Sequence, residues 1–186
     1  MNGLGYATER FLERALADDL VDVGYVVEDS PIGRLTLAAT TVGVVRIGFA
    51  GEQQVLEELA ATISPRVVRV PARLDAARRQ LEEYFAGRRT TFDVALDRRL
   101  SHGFFLAAHE AISAIPFGEV ATYRDIAAAA GNPNATRAAG TACATNPIPI
   151  IVPCHRVLRT GGGIGGYAGG LEVKHFLLAH EGRTLV

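Results

Sequence analysis

The sequence predicts an α+β protein in which strands and helices mix in the first half and helices dominate the second. Three observations lead there. Hydrophobic residues make up 48% and charged residues 21% of 186 residues, a balance that buries a core instead of staying disordered. Short apolar runs up to Leu96 alternate or sit between turn signals, as strands do. Beyond Asp97 the apolar residues recur mainly at helical spacing.

Ala7 to Leu20 is expected to be a helix, with Phe11, Ala15 and Leu16 on one side. Tyr25 to Val27 leads into the turn Ser30-Pro31-Ile32-Gly33, followed by strands at Leu35–Ala38 and Val42–Phe49, a hairpin or meander. Val55, Leu56, Leu59 and Ile63 define a helix ending near Pro65, and Val67–Val70 a short strand. Leu74, Ala77, Leu81 and Phe85 define another helix, stopped by Gly87. Phe92 to Leu96 is expected to be a last strand. Four helices follow: Phe105–Ala114, Thr122–Ala130 with Thr122 and Asp125 spaced as a capping box, Ala135 to about Thr145, and Leu171–His180. The division is a leading segment 1–23, an α+β part 24–97 and a helical part 98–186.

Composition narrows the function classes. No apolar run reaches the roughly 18 residues a membrane helix needs. The start shows no basic stretch followed by an apolar one, and two cysteines cannot staple a fold, so a soluble cytoplasmic protein is expected. The net charge of −1 and a pI near 6.5 leave no strong basic footprint for nucleic acid. Charge is uneven, however: 10 acids oppose 4 basic residues up to Glu58, whereas 9 arginines oppose 5 acids from Arg66 to Arg99. Later surfaces can therefore be neutral or locally basic.

Asn146 to Val157 is the most unusual stretch. Pro147, Pro149 and Pro153 forbid a helix and impose extended geometry, delivering Cys154 and His155 where the chain can turn again. A proline at the start of a helical turn would set Cys154 near amide dipoles, which lower a thiol pKa. Cys154 is then either a nucleophile beside His155 or a small buried hydrophobe. Cys143, among alanines, is expected to pack, and the spacing of the two cysteines does not suit zinc. Residues 122–145 have the shape of a helix-turn-helix or of an ordinary buried helical hairpin. The second helix is nearly all small residues, with Arg137 its single long cation. Gly161 to Gly170 holds seven glycines without a phosphate-loop pattern, and is better explained as pocket wall than as a linker.

Pro153-Cys154-His155-Arg156-Val157, preceded by Asn146 and followed by Gly166-Tyr167-Ala168-Gly169-Gly170, resembles the O6-alkylguanine-DNA alkyltransferases. The likeness runs from about Phe104 to Gly182 and includes Ile115-Pro116-Phe117-Gly118-Glu119, Thr122-Tyr123 and Arg137-Ala138. A weaker match covers Asp29 to Gly33 and Gln80 to Phe92. The resemblance implies an RNase H-like N-terminal domain followed by a winged helix-turn-helix domain carrying the reactive cysteine. It implies a DNA repair protein that acts once, moving an alkyl group from O6 of a flipped guanine in duplex DNA to Cys154. By the same resemblance His155 takes the thiol proton through a water, Glu181 orients His155, and Tyr123 donates to the departing guanine. Asn146 would tie the recognition helix to the active-site turn. Arg137 would fill the vacated stack, with Thr136, Ala138, Thr122 and Arg124 at the DNA. Val157, Gly165, Tyr167 and Ala168 would line the pocket. No cofactor and no metal are expected, and a monomer is expected in solution. Many relatives carry a tryptophan where this chain has His109, which is taken as a core substitution. The competing readings are a lesion-recognising DNA-binding protein that does not repair, and a thiol hydrolase using Cys154, His155 and Glu181.

Overall fold

The computed structural model describes residue 10, residues 13–49 and residues 51–183. Residues 13–17 are helical, while Phe11 and residues 7–9 of the helix expected at the start lie outside the described residues. β1 (Val23–Ser30), β2 (Gly33–Ala39) and β3 (Val44–Gly48) form an antiparallel meander, and β4 (Val67–Arg69) joins β1 in parallel, giving the order β3-β2-β1-β4. The β1–β2 turn closes with Ser30 pairing Gly33 and the Ser30 hydroxyl donating to the Gly33 carbonyl at 2.5 Å. Val42 and Gly43 belong to the β2–β3 turn, so β3 starts later than its apolar run suggests.

Alternation along β1 and β2 dictates the layers, and a register shift at Ala38/Ala39 breaks it on β3, where Val45 and Ile47 join opposite clusters. Val23, Ala38 and Val45 face α1 (Glu52–Thr62), burying Val55 and Leu59. Val26, Leu35, Leu37 and Ile47 face the opposite way, toward Leu74 at the end of a 3-10 turn and toward Ala77, Leu81 and Tyr84 of α2 (Asp75–Phe85). That second cluster continues without a break into the C-terminal half, through Ala108, Ile112, Ile126, Ala139 and Ile148. The two halves thus share one core.

The strand expected at Phe92–Leu96 is absent. Only a single bridge joins Leu96 to Val44, because Val44 bonds Ala95 and Asp97 and no further rung follows. The Gln80 side chain takes both backbone groups of Asp93 instead, at 2.7 and 2.8 Å, and so uses up the atoms a ladder needs.

In the C-terminal half, α3 (Gly103–Ser113), α4 (Tyr123–Ala129) and α5 (Thr136–Ala144) pack together, and α6 (Leu171–His180) closes the chain. Thr122 caps α4 as expected: its hydroxyl accepts from the Asp125 amide at 3.2 Å, and the Asp125 carboxylate accepts from the Thr122 amide at 2.8 Å. Sequence alone did not indicate the parallel pair β5 (Ala121–Thr122) and β6 (Val157–Leu158), each two residues long. That pair ties the entry to α4 to the segment just after Cys154. His109 is buried, accepting at Nδ1 from Ser101 and donating from Nε2 to the Ala142 carbonyl, both at 2.8 Å. It joins α3 to α5 as a satisfied core residue. Thr122→Ala removes one half of the capping box, and urea unfolding should show about 1 kcal/mol less stability; an unchanged midpoint would contradict the cap.

Candidate active site

Asn146 shapes the loop that presents Cys154. Its Nδ2 donates to the Val152 carbonyl at 2.7 Å and its Oδ1 accepts from the Ile148 amide at 3.1 Å, closing the proline-rich segment on itself. Inside that loop Ile150 is held at φ +76°, a left-handed conformation that β-branched residues rarely adopt, costing on the order of 1–2 kcal/mol. The surrounding bonds and burial hold it there. The same Asn146 amide also reaches Cys154 Sγ at 3.1 Å.

Cys154–Arg156 is a three-residue 3-10 turn, with Pro153 flanking it outside its first position. So short a turn has little dipole, and the lowered thiol pKa expected from sequence is not found. Burial pushes the Cys154 thiol up to about 11, against the opposing pull of the Asn146 hydrogen bond and the Lys174 charge. At that value only about one molecule in ten thousand holds a thiolate at neutral pH. A base is therefore required. Cys143 is buried on α5 and pushed up to about 12, chiefly by burial, as fits a packing residue.

His155 is completely buried, and its Nε2 meets Glu181 Oε1 at 2.9 Å. Nδ1 is buried without a hydrogen-bond partner. Burial pushes the His155 pKa down, partly offset by Glu181, so the resting ring is neutral. With Nε2 donating its proton to the carboxylate, Nδ1 carries the free lone pair. Glu181 follows the last residue of α6 and collects donors from several segments. Arg156 gives Nε to Oε2 and Nη2 to Oε1, both at 2.8 Å; the Tyr84 hydroxyl reaches Oε1 at 2.8 Å, and the Gly118 amide reaches Oε2 at 3.3 Å. Burial alone would raise the Glu181 pKa. The hydrogen bonds from His155 and Arg156, with the Arg156 charge, outweigh it and hold the carboxyl well below the ordinary range.

Lys174, with no exposed surface, donates to the Val157 carbonyl at 2.7 Å and bridges toward Gly166 at 3.4 Å. It links α6 to β6 and to the glycine loop. Val157 is buried directly after the turn. Tyr167 packs edge-on to His155, ring centroids 6.3 Å apart, and to Phe49 at 5.5 Å; its hydroxyl is buried and unpartnered. Gly165 has φ +70°, and a Cβ there would overlap the Tyr123 hydroxyl, so only glycine lets loop and tyrosine meet. Tyr123 is the first residue of α4, and burial raises its pKa.

Cys154, His155, Glu181, Asn146, Tyr123, Val157, Gly165 and Tyr167 are thus gathered around one buried turn. Ala168 is exposed and borders a cavity of about 410 Å³ that also reaches Asn146 and Arg46. Arg137 and Arg124 are exposed on α5 and α4, and Thr136 and Ala138 are half-buried. Half-buried Thr122 spends its hydroxyl on the capping box. Sequence reasoning missed Arg156, Lys174 and Tyr84. Arg156 stands inside the cysteine motif, whereas Tyr84 follows Ala77 and Leu81 at helical spacing and carries only a core signal.

Because Glu181 has a lower pKa folded than unfolded, its contribution is complete above the ordinary value of 4.5 and is lost as pH falls below it. Chemical unfolding at a series of pH values should show wild type losing stability on acidification. Glu181→Gln, which strands Arg156, should start about 3–5 kcal/mol lower and lose less over the same interval; parallel curves would contradict the assignment.

Comparison with known proteins gives a consistent result. Residues 103–183 match the family described as 6-O-methylguanine DNA methyltransferase, DNA binding domain, and residues 23–98 match the ribonuclease-like domain of the same family. A methylated-DNA–protein-cysteine methyltransferase of Methanosarcina acetivorans is 41% identical over 158 residues, covering 85% of this chain and 97% of its own. The constitutive methylated-DNA–protein-cysteine methyltransferase of Bacillus subtilis is 38% identical, covering 84% and 94%. The crystal structure of Mycobacterium tuberculosis OGT in complex with DNA matches with a TM-score of 0.74 at 37% identity, covering 86% and 93%. With both halves matched and relatives aligned over nearly their whole length, the chain belongs to the 6-O-methylguanine DNA methyltransferase family.

Proposed function

We propose that the protein repairs DNA by a single transfer of an alkyl group from O6 of a flipped guanine to Cys154. The observation that carries this reading is that one buried turn brings together two hydrogen-bonded pairs, Asn146 with Cys154 and His155 with Glu181, on the consecutive residues Cys154 and His155. Together they offer one thiol, one neutral base with a free lone pair, and a carboxylate to steady the charge that develops.

Displacement at a saturated carbon needs a soft, strong nucleophile, and thiolate is the best a protein owns. His155 Nδ1 takes the Cys154 proton through a water, and Glu181 stabilises the imidazolium that results. The sulfur–carbon bond forms as the carbon–O6 bond breaks. The electron pair stays on the guanine, which takes a hydrogen bond and then a proton from the Tyr123 hydroxyl, and the proton that His155 took from Cys154 returns through solvent to restore that hydroxyl. A thioether is a poor leaving group, so water does not restore the thiol. Each molecule acts once.

O6 lies within the base-paired stack, so the nucleotide must leave the helix, at a cost of a few kcal/mol that is smaller for a damaged pair. The exposed Arg137 near the start of α5 is suited to fill the gap, with Thr136 and Ala138 beside it and Arg124 on α4 meeting phosphates. Asn146 couples the end of α5 to the cysteine. Val157, Gly165, Tyr167 and Ala168 form the walls that receive the base. The substrate is double-stranded DNA containing O6-alkylguanine, the protein works as a monomer, and it resides in the cytoplasm, on the nucleoid when bound to DNA.

Incubation with duplex DNA containing O6-methylguanine should add about 14 Da once, on the peptide holding Cys154, as a methyl replaces a hydrogen. Cys154→Ser should abolish the adduct and keep DNA binding. Full DNA occupancy without an adduct would favour a lesion-binding protein, and continued turnover would indicate a hydrolase. Arg137→Ala should slow repair of duplex lesions by about tenfold or more while sparing reaction with free O6-benzylguanine. Equal loss on both substrates would remove Arg137 from the role of finger.

A further inference from the structure

The buried cluster that orients His155 includes a side chain from the N-terminal half, and the alkyl-transfer mechanism above makes no use of it. Tyr84 lies in the last turn of α2, within the ribonuclease-like residues, and none of its surface is exposed. Its hydroxyl donates to Glu181 Oε1 at 2.8 Å. The same oxygen accepts from His155 Nε2 at 2.9 Å and from Arg156 Nη2 at 2.8 Å. Three donors converge on an oxygen that offers about two lone-pair sites. Tyr84 is also clamped from behind: its carbonyl accepts from His180 Nε2 at 2.7 Å, and its ring packs edge-on against His180 and Phe117. The hydroxyl is fixed on the carboxylate.

We propose that Tyr84 is a positioning residue for alkyl transfer, which by occupying Glu181 Oε1 limits the pull of that carboxylate on His155 and sets how readily His155 accepts the Cys154 proton. The proposal rests on the reading of Cys154 as nucleophile and His155 as its base. A donor on a carboxylate withdraws part of its charge, and here it competes with His155 for the same atom. Without the hydroxyl, His155 and Arg156 share Oε1 between them, the His155–Glu181 bond strengthens, and the imidazolium gains stability. His155 then keeps its proton to higher pH, and the acid limb of the rate, which reports the neutral base, moves upward. The other titratable or charged groups around this pair are Arg156 on the turn, Lys174 on α6 and Tyr167 on the glycine loop; Cys154 immediately precedes His155, and His180 packs against Tyr84. All are retained when only the Tyr84 hydroxyl is removed.

Tyr84→Phe keeps the ring and its packing, and thermal unfolding checks that the variant is folded. The rate of Cys154 alkylation by free O6-benzylguanine is then followed from about pH 5 to about pH 9, bracketing the ordinary histidine range. The acid limb of Tyr84→Phe should lie about one pH unit higher, the equivalent of one hydrogen bond to a charged group. Rates on that limb should fall about tenfold while the plateau changes by less than about twofold. A loss by the same factor at every pH, or no change, is what a purely structural tyrosine gives and overturns the proposal. Nitrogen NMR of the His155 ring supplies a readout independent of alkylation: its titration should also move up in the variant, and an unmoved titration overturns the proposal. Should wild type form no adduct at all, the alkyl-transfer reading fails, and the His155 titration still decides whether Tyr84 acts on the pair.

Discussion

A carboxylate withdrawn from water needs donors from the protein to keep its charge, and Glu181 finds them on α2, in the turn before β5 and in the Cys154–Arg156 turn. Arg156 matches its charge through two nitrogens, the geometry that makes such pairs strong. Placing an ion pair in a protein interior costs several kcal/mol of hydration, and that cost is recovered only when the remaining lone pairs are satisfied. Here they are. The ion pair is therefore unforgiving: loss of either Glu181 or Arg156 leaves the other charge buried without its counter-charge. Much of the C-terminal architecture serves this point, since Arg156 also holds the Ile115 carbonyl at 2.5 Å and Gly118 offers its amide from the same turn.

The same carboxylate explains how a thiol as buried as Cys154 can react. Burial removes solvent competition but disfavours the thiolate, and Asn146 and Lys174 only partly offset that. The neutral His155 with its free Nδ1 allows ionisation to be deferred until a substrate is present. Generating charge at that moment, as a thiolate and imidazolium pair steadied by Glu181 and Lys174, keeps the resting sulfur protected. The N-terminal half takes part through two contacts. Tyr84 reaches the carboxylate, and Phe49 supports Tyr167 on the glycine loop. A shared core with Ile47 bonded to the Pro147 carbonyl at 2.8 Å fixes both contacts relative to the cysteine loop.

The order of elements was legible wherever local signals were strong: the capping box at Thr122, the Ser30–Gly33 turn, and the final helix from Leu171 to His180. The short elements were not. Phe92–Leu96 has the composition of a strand, but the side chain that takes its backbone bonds comes from α2, and β5 and β6 exist only because distant segments meet. The site divides the same way. Cys154, His155 and Asn146 stand close in sequence, inside a stretch whose prolines already mark it as irregular. Arg156 was in view as part of the motif without a role, because its partner lies 25 residues away. Tyr84 sits 97 residues from Glu181 on an ordinary amphipathic stripe, where a tyrosine and a leucine look alike until a fold supplies the acceptor. The thiol pKa was misjudged because a proline before a turn suggests a helix start, whereas burial outweighs any dipole that three residues can muster.

The central claim is that the buried Glu181 carboxylate is what makes His155 a base for Cys154. The most direct measurement is the rate at which free O6-benzylguanine alkylates Cys154 in Glu181→Gln, compared with wild type at neutral pH under conditions where circular dichroism shows both proteins folded. The account predicts a loss of about a hundredfold or more, the range general base catalysis usually supplies. Rates within about twofold of each other would contradict it, since a base of that strength cannot depend on a carboxylate whose charge is dispensable.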